Sequence, residues 1–292
     1  MMVIAKYASW KGAFYPKGTK DEHEYYAQHF GAVELNTTFY APPQPDTVAS
    51  WRSLWTPRHG TLVVKAERFF THRKKLNIDD CFRDGWEKRK ARYLQLGTCL
   101  GAVLWQFPSL FQATRVNLQR IADLLPLLPP EVDHAFEMRH ESWFDEDARQ
   151  ELLKKKKPRT EGGDPLAERG AVLRAFEHCP HANMVQMHSA RRSFKQLSGG
   201  MHPSAEDYDV VSEGKRFRYV RFHGSRGYAF GLYGQKEMQD WATTIRKWAE
   251  AGQKVYVFFN NTDPPYEETL PSAVLDAFYL AAALRITEKP AA

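Results

Sequence analysis

The chain has 292 residues, of which 43% are hydrophobic and 13% aromatic, so it is long enough for one well-packed domain and short for two large ones. Its formal net charge of +6 favours phosphate-bearing partners but does not require them. No run approaches the ~20 apolar residues that cross a bilayer, and the opening MMVIAKYASWKG is too polar for a signal peptide. We therefore expect a cytosolic protein without a membrane partner, in which the three widely spaced cysteines are reduced thiols.

Short apolar runs alternate along the chain with longer segments of helical period. The runs predict strands at 1–6, 32–36, 62–65, 101–107, 134–137, 182–187, 217–222 and 254–259. The periodic segments predict helices at 22–30, 80–96, 117–128, 145–156, 235–251 and 271–284. The helix at 235–251 carries the clearest apolar stripe, at Met238, Trp241, Ile245 and Trp248, and Gly252 ends it.

Alternation of this kind predicts an α/β protein with a parallel sheet and crossover helices. Seven or eight such units suit a closed (β/α)₈ barrel, the TIM-barrel architecture, better than an open sheet. A doubly wound sheet is the alternative. It is disfavoured because neither a Gly-x-Gly-x-x-Gly turn after the first strand nor a Walker loop is present.

The segment 154–181 interrupts the alternation. It begins with four lysines, continues through several glycines and prolines, and becomes weakly helical near its end. We predict that it is an exposed insertion before the sixth strand of a single domain spanning 1–292. The lysine run fits a solvated loop as well as it fits an RNA site.

Six motifs occur in order along nearly the whole chain: VELNTTFYAPP (33–43), VKAERFFTHRKKL (64–76), LGAVLWQFPSLF (100–111), FEMRHESWF (136–144), YVRFHGSRG (219–227) and VYVFFNNT (255–262). With SWKGAFYPKG (9–18), they make the chain resemble the YecE-like proteins, also called domain of unknown function 72. The resemblance implies a TIM-barrel fold and implies no reaction.

Two places depart from the family pattern. The Gly-x-Ser-Gly-Trp tip expected after the first strand is absent, so that strand is expected to be shortened or the recorded start to be wrong. The segment MVQMHSA (184–190) is also divergent.

Polar residues stand at the carboxyl ends of the predicted strands, where barrels of this type place their active sites. Each strand otherwise reads apolar, so a polar group at its end needs a partner, which ligands or water supply at a barrel mouth. We therefore predict a ligand-binding pocket, although ion pairs that merely close the mouth account equally well for any single residue. The strand-end residues are Glu34, Asn36, Lys65, Gln106, Glu137, Arg139, His140, Arg221, His223, Asn260 and Asn261.

Glu34 and Glu137 are the predicted acid/base pair, since a buried carboxylate can exchange protons near neutral pH. Arg139 would instead keep a neighbouring carboxylate ionised. Lys65 is the third catalytic candidate, as a Schiff-base nucleophile if desolvated, with an anion contact or an ion pair as the alternatives.

No metal and no cofactor are predicted. His72, His140 and His223 lie on separate segments, and no His-x-His or Glu-x-x-His spacing joins them. Amides such as Asn36 and Gln106 are poor metal ligands and good partners for hydroxyl groups. The pattern therefore favours a polyhydroxylated or phosphorylated compound.

HGSRG (223–227) follows the seventh strand, where barrels often bind phosphate through backbone N–H groups. Gly224 would let the backbone approach an anion closely, and Arg226 would add charge. An ordinary glycine-bearing loop is the alternative.

Two functions remain open. The first is a metal-independent enzyme, a hydrolase, lyase or isomerase, that acts on a small sugar-like, phosphorylated or nucleotide-related substrate by general acid/base catalysis. The second is a non-catalytic protein that binds RNA or another polyanion at the same mouth, which the positive charge and the aromatic residues after the strands motivate.

Overall fold

Ten β-strands join into one sheet in a computed structural model that describes residues 2–4, 8–144, 165–190, 199–263 and 270–285, with the single residues 146 and 154. The strands are β1 (Met2–Ile4), β2 (Ala32–Leu35), β3 (Thr61–Lys65), β4 (Leu100–Gln106), β5 (Asp133–Glu137), β6 (Ala182–Met184), β7 (Gln186–Ser189), β8 (Gly200–His202), β9 (Phe217–Phe222) and β10 (Lys254–Phe259).

Helices follow most of the strands. They are α1 (Glu22–His29), α2 (Pro45–Trp55), α3 (Asp80–Leu94), α4 (Arg115–Leu124), α5 (Arg169–Leu173), α6 (Ala205–Val211), α7 (Gln235–Glu250) and α8 (Ser272–Ala283). Asp21 and Asp79 begin α1 and α3 by accepting hydrogen bonds from free backbone N–H groups of the first turn. No described helix has both the length and the apolar character needed to span a bilayer.

The sheet order is β6-β5-β4-β3-β2-β1-β10-β9-β7-β8. Every neighbouring pair is parallel except β7 and β8, which are antiparallel. The predicted α/β class with a parallel sheet is therefore confirmed. Strands β2, β5 and β9 are buried along their entire length, as expected for parallel strands covered by helices.

The sixth predicted strand, 182–187, is two strands rather than one, and Val185 separates them. β6 pairs with β5, whereas β7 pairs with β9. The Asn183 side chain lies at this division and bonds to the first residue of β9. Its Oδ1 accepts from the backbone N–H of Met184 (2.8 Å), and its Nδ2 donates to the carbonyl oxygen of Phe217 (2.9 Å). The side chain thus occupies a place where β6 and β9 would otherwise share backbone bonds.

The exposed insertion predicted at 154–181 is wrong for its second half. Residues 165–181 are packed into the body, where Val172 and Phe176 are almost completely buried. Ala167 N–H donates to the carbonyl oxygen of Ala113 (2.8 Å), so this stretch also bonds to the loop that follows β4. Positions 155–164 lie outside the described residues, as does most of the helix predicted at 145–156.

Candidate active site

Arg221, near the carboxyl end of β9, has a buried guanidinium at the centre of a polar cluster. Its Nε donates to Oε1 of Glu34 (2.9 Å) and its Nη2 donates to Oε2 of the same carboxylate (2.8 Å). Nη1 donates to Oε2 of Glu137, and Nη2 also donates to Oδ1 of Asn260 (3.1 Å). A forked, charge-assisted pair of this kind fixes the orientation of both partners. One guanidinium therefore joins the ends of β2, β5, β9 and β10.

Glu34 receives a further hydrogen bond from Tyr219, whose hydroxyl donates to Oε1 (2.5 Å). Tyr219 lies two residues before Arg221 on β9, so both side chains point to the same side of the sheet. Burial, reinforced by the charge of Glu34, raises the pKa of Tyr219 well above its usual value. The hydroxyl therefore keeps its proton and remains a donor to the carboxylate.

Glu137 is fully buried and accepts bonds from three side chains. Besides Arg221, Gln106 Nε2 donates to Oε1 (2.9 Å) and Arg139 Nε donates to the same oxygen (2.6 Å). The sheet register places Gln106 directly beside Glu137 on the adjacent strand. Burial alone would raise the pKa of Glu137, but Arg139 and Arg221 outweigh burial and hold that pKa well below its usual range. Glu137 is therefore an anion at any ordinary pH.

Lys65 ends β3 and is the least compensated charge in the cluster. Its side chain is buried, with Nζ 4.4 Å from the centre of the Phe39 ring. Thr38 Oγ1 accepts from the backbone N–H of Lys65 (2.9 Å) and donates to its carbonyl oxygen (2.7 Å), which fixes the backbone at this strand end. Among the described residues no carboxylate forms an ion pair with the amine.

Burial and the positive charges of Arg221 and Arg139 lower the pKa of Lys65 from 10.5 to about 7, although Glu137 and Glu34 oppose them. The charge count of the site acts on the pKa of Lys65 in the same direction. Two carboxylates match two guanidiniums, so a protonated Lys65 is a surplus cation in a buried site. A large fraction of the amine is therefore neutral at physiological pH.

The histidines near the cluster are neutral. Burial, then Arg221, holds the pKa of His223 well below its ordinary value, and His223 Nε2 lies 3.2 Å from Nη1 of Arg221. Burial, then Lys65 and Arg139, lowers the pKa of His72 to about 4. In the described part of the chain no group of three or more His, Cys, Asp or Glu residues could hold a metal ion.

Two amides at the ends of β2 and β10, the strands on either side of β1, carry a buried atom without a hydrogen-bond partner among the described residues. They are Oδ1 of Asn36, which follows β2, and Nδ2 of Asn260, which follows β10. Buried polar atoms are costly unless they are paired, so a ligand that presents hydroxyl groups would gain by pairing with them.

Of the predicted strand-end residues, the structure brings seven into the bonded network around Arg221: Glu34, Gln106, Glu137, Arg139, Arg221, His223 and Asn260. His140 and Asn261 do not join it. His140 Nδ1 is bonded to Ser142, where it begins a short 3₁₀ turn, and its Nε2 faces Gln112 (3.3 Å). Asn261 Nδ2 donates to Asp276 (2.7 Å) and to the carbonyl oxygen of Gly231 (3.1 Å).

The free backbone N–H groups expected in the loop 223–227 are not there. The N–H groups of Arg226 and Gly227 both donate to the carbonyl oxygen of Phe230 (3.1 Å each), and that of Ser225 donates to Gly231 (3.3 Å). Gly224 has φ +103°, and a Cβ at that position would lie 2.4 Å from the Phe230 carbonyl oxygen. The glycine therefore allows the loop to fold back on itself, and the phosphate-site interpretation of these N–H groups is wrong. Arg226 itself is exposed.

Tyr219 and Thr38 are members of the cluster that the sequence reasoning missed. Tyr219 shares the two-residue period of Arg221, which is a usable signal. Thr38 has no such signal, because it reaches Lys65 across 27 positions of the chain.

A large apolar groove of about 590 Å³ lies elsewhere, between α1, α7 and α8. Phe30, Ile245 and Leu284 line it, and none of the strand-end polar residues does. Its apolar walls do not suit a polyhydroxylated compound, so the candidate site remains the cluster around Arg221.

The fold and the cluster define an α/β protein with charged side chains gathered at the carboxyl ends of its parallel strands. This chain belongs to the family described as protein of unknown function DUF72, whose model matches residues 6–291.

Relatives cover most of the chain. It is 26% identical over 265 residues to the UPF0759 protein YunF of Bacillus subtilis, an alignment that spans 85% of this chain and 84% of YunF. The fold is similar to that of a DUF72 family protein from Enterococcus faecalis V583, with a TM-score of 0.68, 16% identity and coverage of 98% of this chain and 94% of that one. A DUF72 family protein from Thermotoga maritima MSB8 gives a TM-score of 0.66 at 20% identity, with coverage of 98% and 100%. At these identities the two structures support the fold alone.

Proposed function

We propose that this protein is a metal-independent enzyme that acts on a small sugar-like compound by acid/base catalysis, with Lys65 as the proton acceptor. The observation that carries the proposal is the buried Lys65 amine, which lacks a carboxylate partner among the described residues and lies beside two guanidiniums that have such partners. A base is most effective when its pKa lies near the working pH. Lys65, with a pKa of about 7, meets this condition.

The site belongs, in this proposal, to a closed (β/α)₈ barrel. In an open sheet β9 and β5 would be six strands apart, roughly 29 Å at the usual spacing of ~4.8 Å. Arg221 on β9 nevertheless bonds to Glu137 on β5. β6 and β7, separated only by Val185, reach β5 and β9 respectively and would together form the sixth strand of the barrel.

Glu34 and Glu137 then have a supporting role rather than the acid/base role expected from the sequence. Both carboxylates bind guanidinium groups, and the pKa of Glu137 is held too low for proton exchange near neutral pH. Their contribution is to hold Arg221 and Arg139 in place around Lys65. Asn36 and Asn260 would bind substrate hydroxyls through their unpaired atoms.

Deuterium exchange tests this function. The protein would be incubated in D₂O with a panel of sugars, sugar phosphates and small hydroxycarbonyl compounds, and loss of the C–H signal next to the carbonyl would be followed by proton NMR. We expect exchange with at least one compound, a rate that rises with pH through about 7, and loss of exchange in Lys65→Met. Lys236→Met, at an exposed position of α7, is the matched control. Absence of exchange and of thermal stabilisation across the panel would refute the proposal.

Binding of RNA remains the competing outcome. A polyanion needs cations that are free to bind phosphates, whereas Arg139 and Arg221 are already paired with carboxylates. RNA affinity that falls steeply with salt and is lost in Lys65→Met would favour this second function over catalysis.

We also infer that the protein works in a reducing compartment such as the cytosol, since Cys81 is an exposed free thiol and Cys99 and Cys179 are free as well. Fractionation of cells that produce the chain at natural levels would test this inference.

A further inference from the structure

We propose that Lys65 forms a covalent imine with its substrate, and that the substrate is a small aldehyde or ketone carrying one anionic group. This inference rests on the proposed function, in which Lys65 is the reactive group of the site, and deepens it by assigning the chemical class of the substrate. The Lys65 lone pair would then form a bond to carbon, so the role of nucleophile replaces that of proton acceptor.

The position of the amine suits a nucleophile. Lys65 is held at the end of β3 by two backbone bonds to Thr38, and the Phe39 ring covers one side of Nζ. Lysines become nucleophilic when they are desolvated or lie next to another cation, because both conditions favour the neutral amine. Lys65 meets both conditions: it is buried, and Arg221 and Arg139 are the nearby cations.

The charges around Lys65 select the substrate. The titratable and charged groups that act on it are Glu34 on β2, Glu137 on β5, Arg139 after β5 and Arg221 on β9, with His72 after β3. The two carboxylates balance the two guanidiniums, and His72 is neutral. A protonated imine on Lys65 would therefore be the surplus charge of the site. A substrate with one negative charge removes that surplus, whereas a neutral substrate leaves it buried and unpaired.

The chemical step balances without a further reactant. The lone pair of the neutral Lys65 amine attacks the carbonyl carbon, the C=O π electrons move to oxygen, and a proton passes from nitrogen to that oxygen to give a carbinolamine. The C–O bond then breaks with loss of water, and the C=N bond forms. The imine nitrogen takes one proton from solvent to become the cation that the substrate anion neutralises.

Reductive trapping tests this step. The protein would be incubated with pyruvate, or with hydroxyacetone as the matched neutral ketone, in the presence of cyanoborohydride, and peptide mass mapping would locate the modified lysines. Exposed lysines have ~0.04% free amine at pH 7, whereas a lysine with a pKa of about 7 has ~50%. We expect modification of Lys65 by pyruvate at least ~10-fold faster than that of any exposed lysine. The rate should rise with pH to a plateau above about 7 and should be several-fold slower with hydroxyacetone.

Two variants keep the test decisive. Lys65→Met and Lys65→Gln should both lose the modified peptide while keeping the circular dichroism spectrum of the parent protein, and Lys236→Met should keep the modification at Lys65.

Modification of exposed lysines with none at Lys65 would overturn the imine, and equal rates for the two ketones would overturn the anionic substrate class. Deuterium exchange that depends on Lys65 without trapping would overturn the imine while leaving the acid/base function in place. Absence of both would refute both proposals.

Discussion

Arg221 and Glu34 form a fully buried bidentate ion pair between residues 187 positions apart in the chain. The strands that carry them, β9 and β2, are separated in the sheet by β10 and β1, so the two side chains bond to each other across two intervening strands. Arg221 also binds Glu137, and the same guanidinium therefore holds three distant parts of the chain. Removing one side chain from this ion-paired cluster leaves its partners charged and buried.

Substitution of Arg221 by Met should be strongly destabilising. It would leave Glu34 and Glu137 without their shared cation, and the loss of one partner from a buried ion pair typically costs ~3–5 kcal/mol. Urea denaturation of the variant should show this loss in the free energy of unfolding. Arg226→Met is the matched control, since this exposed arginine lies five residues away and should change stability by less than ~0.5 kcal/mol. A loss below ~1 kcal/mol for Arg221→Met would contradict the buried network.

Glu137→Gln should lower the free energy of unfolding and make it less dependent on pH in the acid range. The pKa of Glu137 is lower in the folded chain than in the unfolded one, so its contribution is present above the ordinary glutamate pKa of ~4.3 and is lost as pH falls below it. The variant lacks that contribution at every pH. We expect it to be ~2–4 kcal/mol less stable than the parent at pH 7, with a difference that narrows in acid.

Melting temperatures between pH 7 and pH 3 would measure the difference. Glu250→Gln, at an exposed position of α7, serves as the control for a general charge effect. If Glu137→Gln and its parent lose stability in parallel as pH falls, Glu137 is not the buried anion described above.

Much of the architecture could be predicted because it depends on local patterns. The bounds of β9 and β10 are those predicted; β9 is buried throughout, and β10 is buried from Tyr256 to Phe259. The apolar stripe of α7 is buried as expected at Met238, Ile245 and Trp248. α2 is absent from the predicted helices; Pro45 stands in its first turn, where a missing N–H costs nothing. The antiparallel β8 was missed as well.

Which polar groups pair could not be predicted, because the partners are far apart in the chain. The sequence does indicate that Glu34, Glu137 and Arg221 lie at strand ends, yet it does not reveal that the two carboxylates share one guanidinium. The phosphate site predicted at 223–227 is wrong for a similar reason. Its N–H groups are bonded to Phe230 and Gly231, and no spacing rule foretells carbonyl oxygens that approach only once the loop has closed.

Phe176→Ala tests the corrected boundary of the insertion. Phe176 is almost completely buried, and its ring centre lies 4.7 Å from that of Phe136 on β5. Removing a buried phenylalanine ring costs ~3–5 kcal/mol, whereas the same change in an exposed loop costs less than ~0.5 kcal/mol. Chemical denaturation should give the larger value. His178→Ala, at an exposed position two residues away, should be nearly neutral, and a neutral Phe176→Ala would restore the exposed insertion over 165–181.

Lys65→Met should stabilise the protein at and below neutral pH. A pKa lowered from 10.5 to about 7 means that folding opposes protonation of this amine. At ~1.4 kcal/mol per pKa unit, a protonated Lys65 costs the folded chain at most ~4–5 kcal/mol. Since Met also loses the contact of the ammonium with the Phe39 ring, we expect a gain of ~1–3 kcal/mol. The unfolded chain binds more protons than the folded one between pH 7 and 10.5, so the parent gains stability as pH rises through this window. The advantage of the variant should therefore be greatest below pH 7 and disappear near pH 10.5.

Denaturation at several pH values, with Lys236→Met as the control, would measure this difference in stability. If Lys65→Met is instead less stable than its parent below pH 7, Lys65 is a compensated structural cation, and both its role as the proton acceptor and its role as a nucleophile lose their basis.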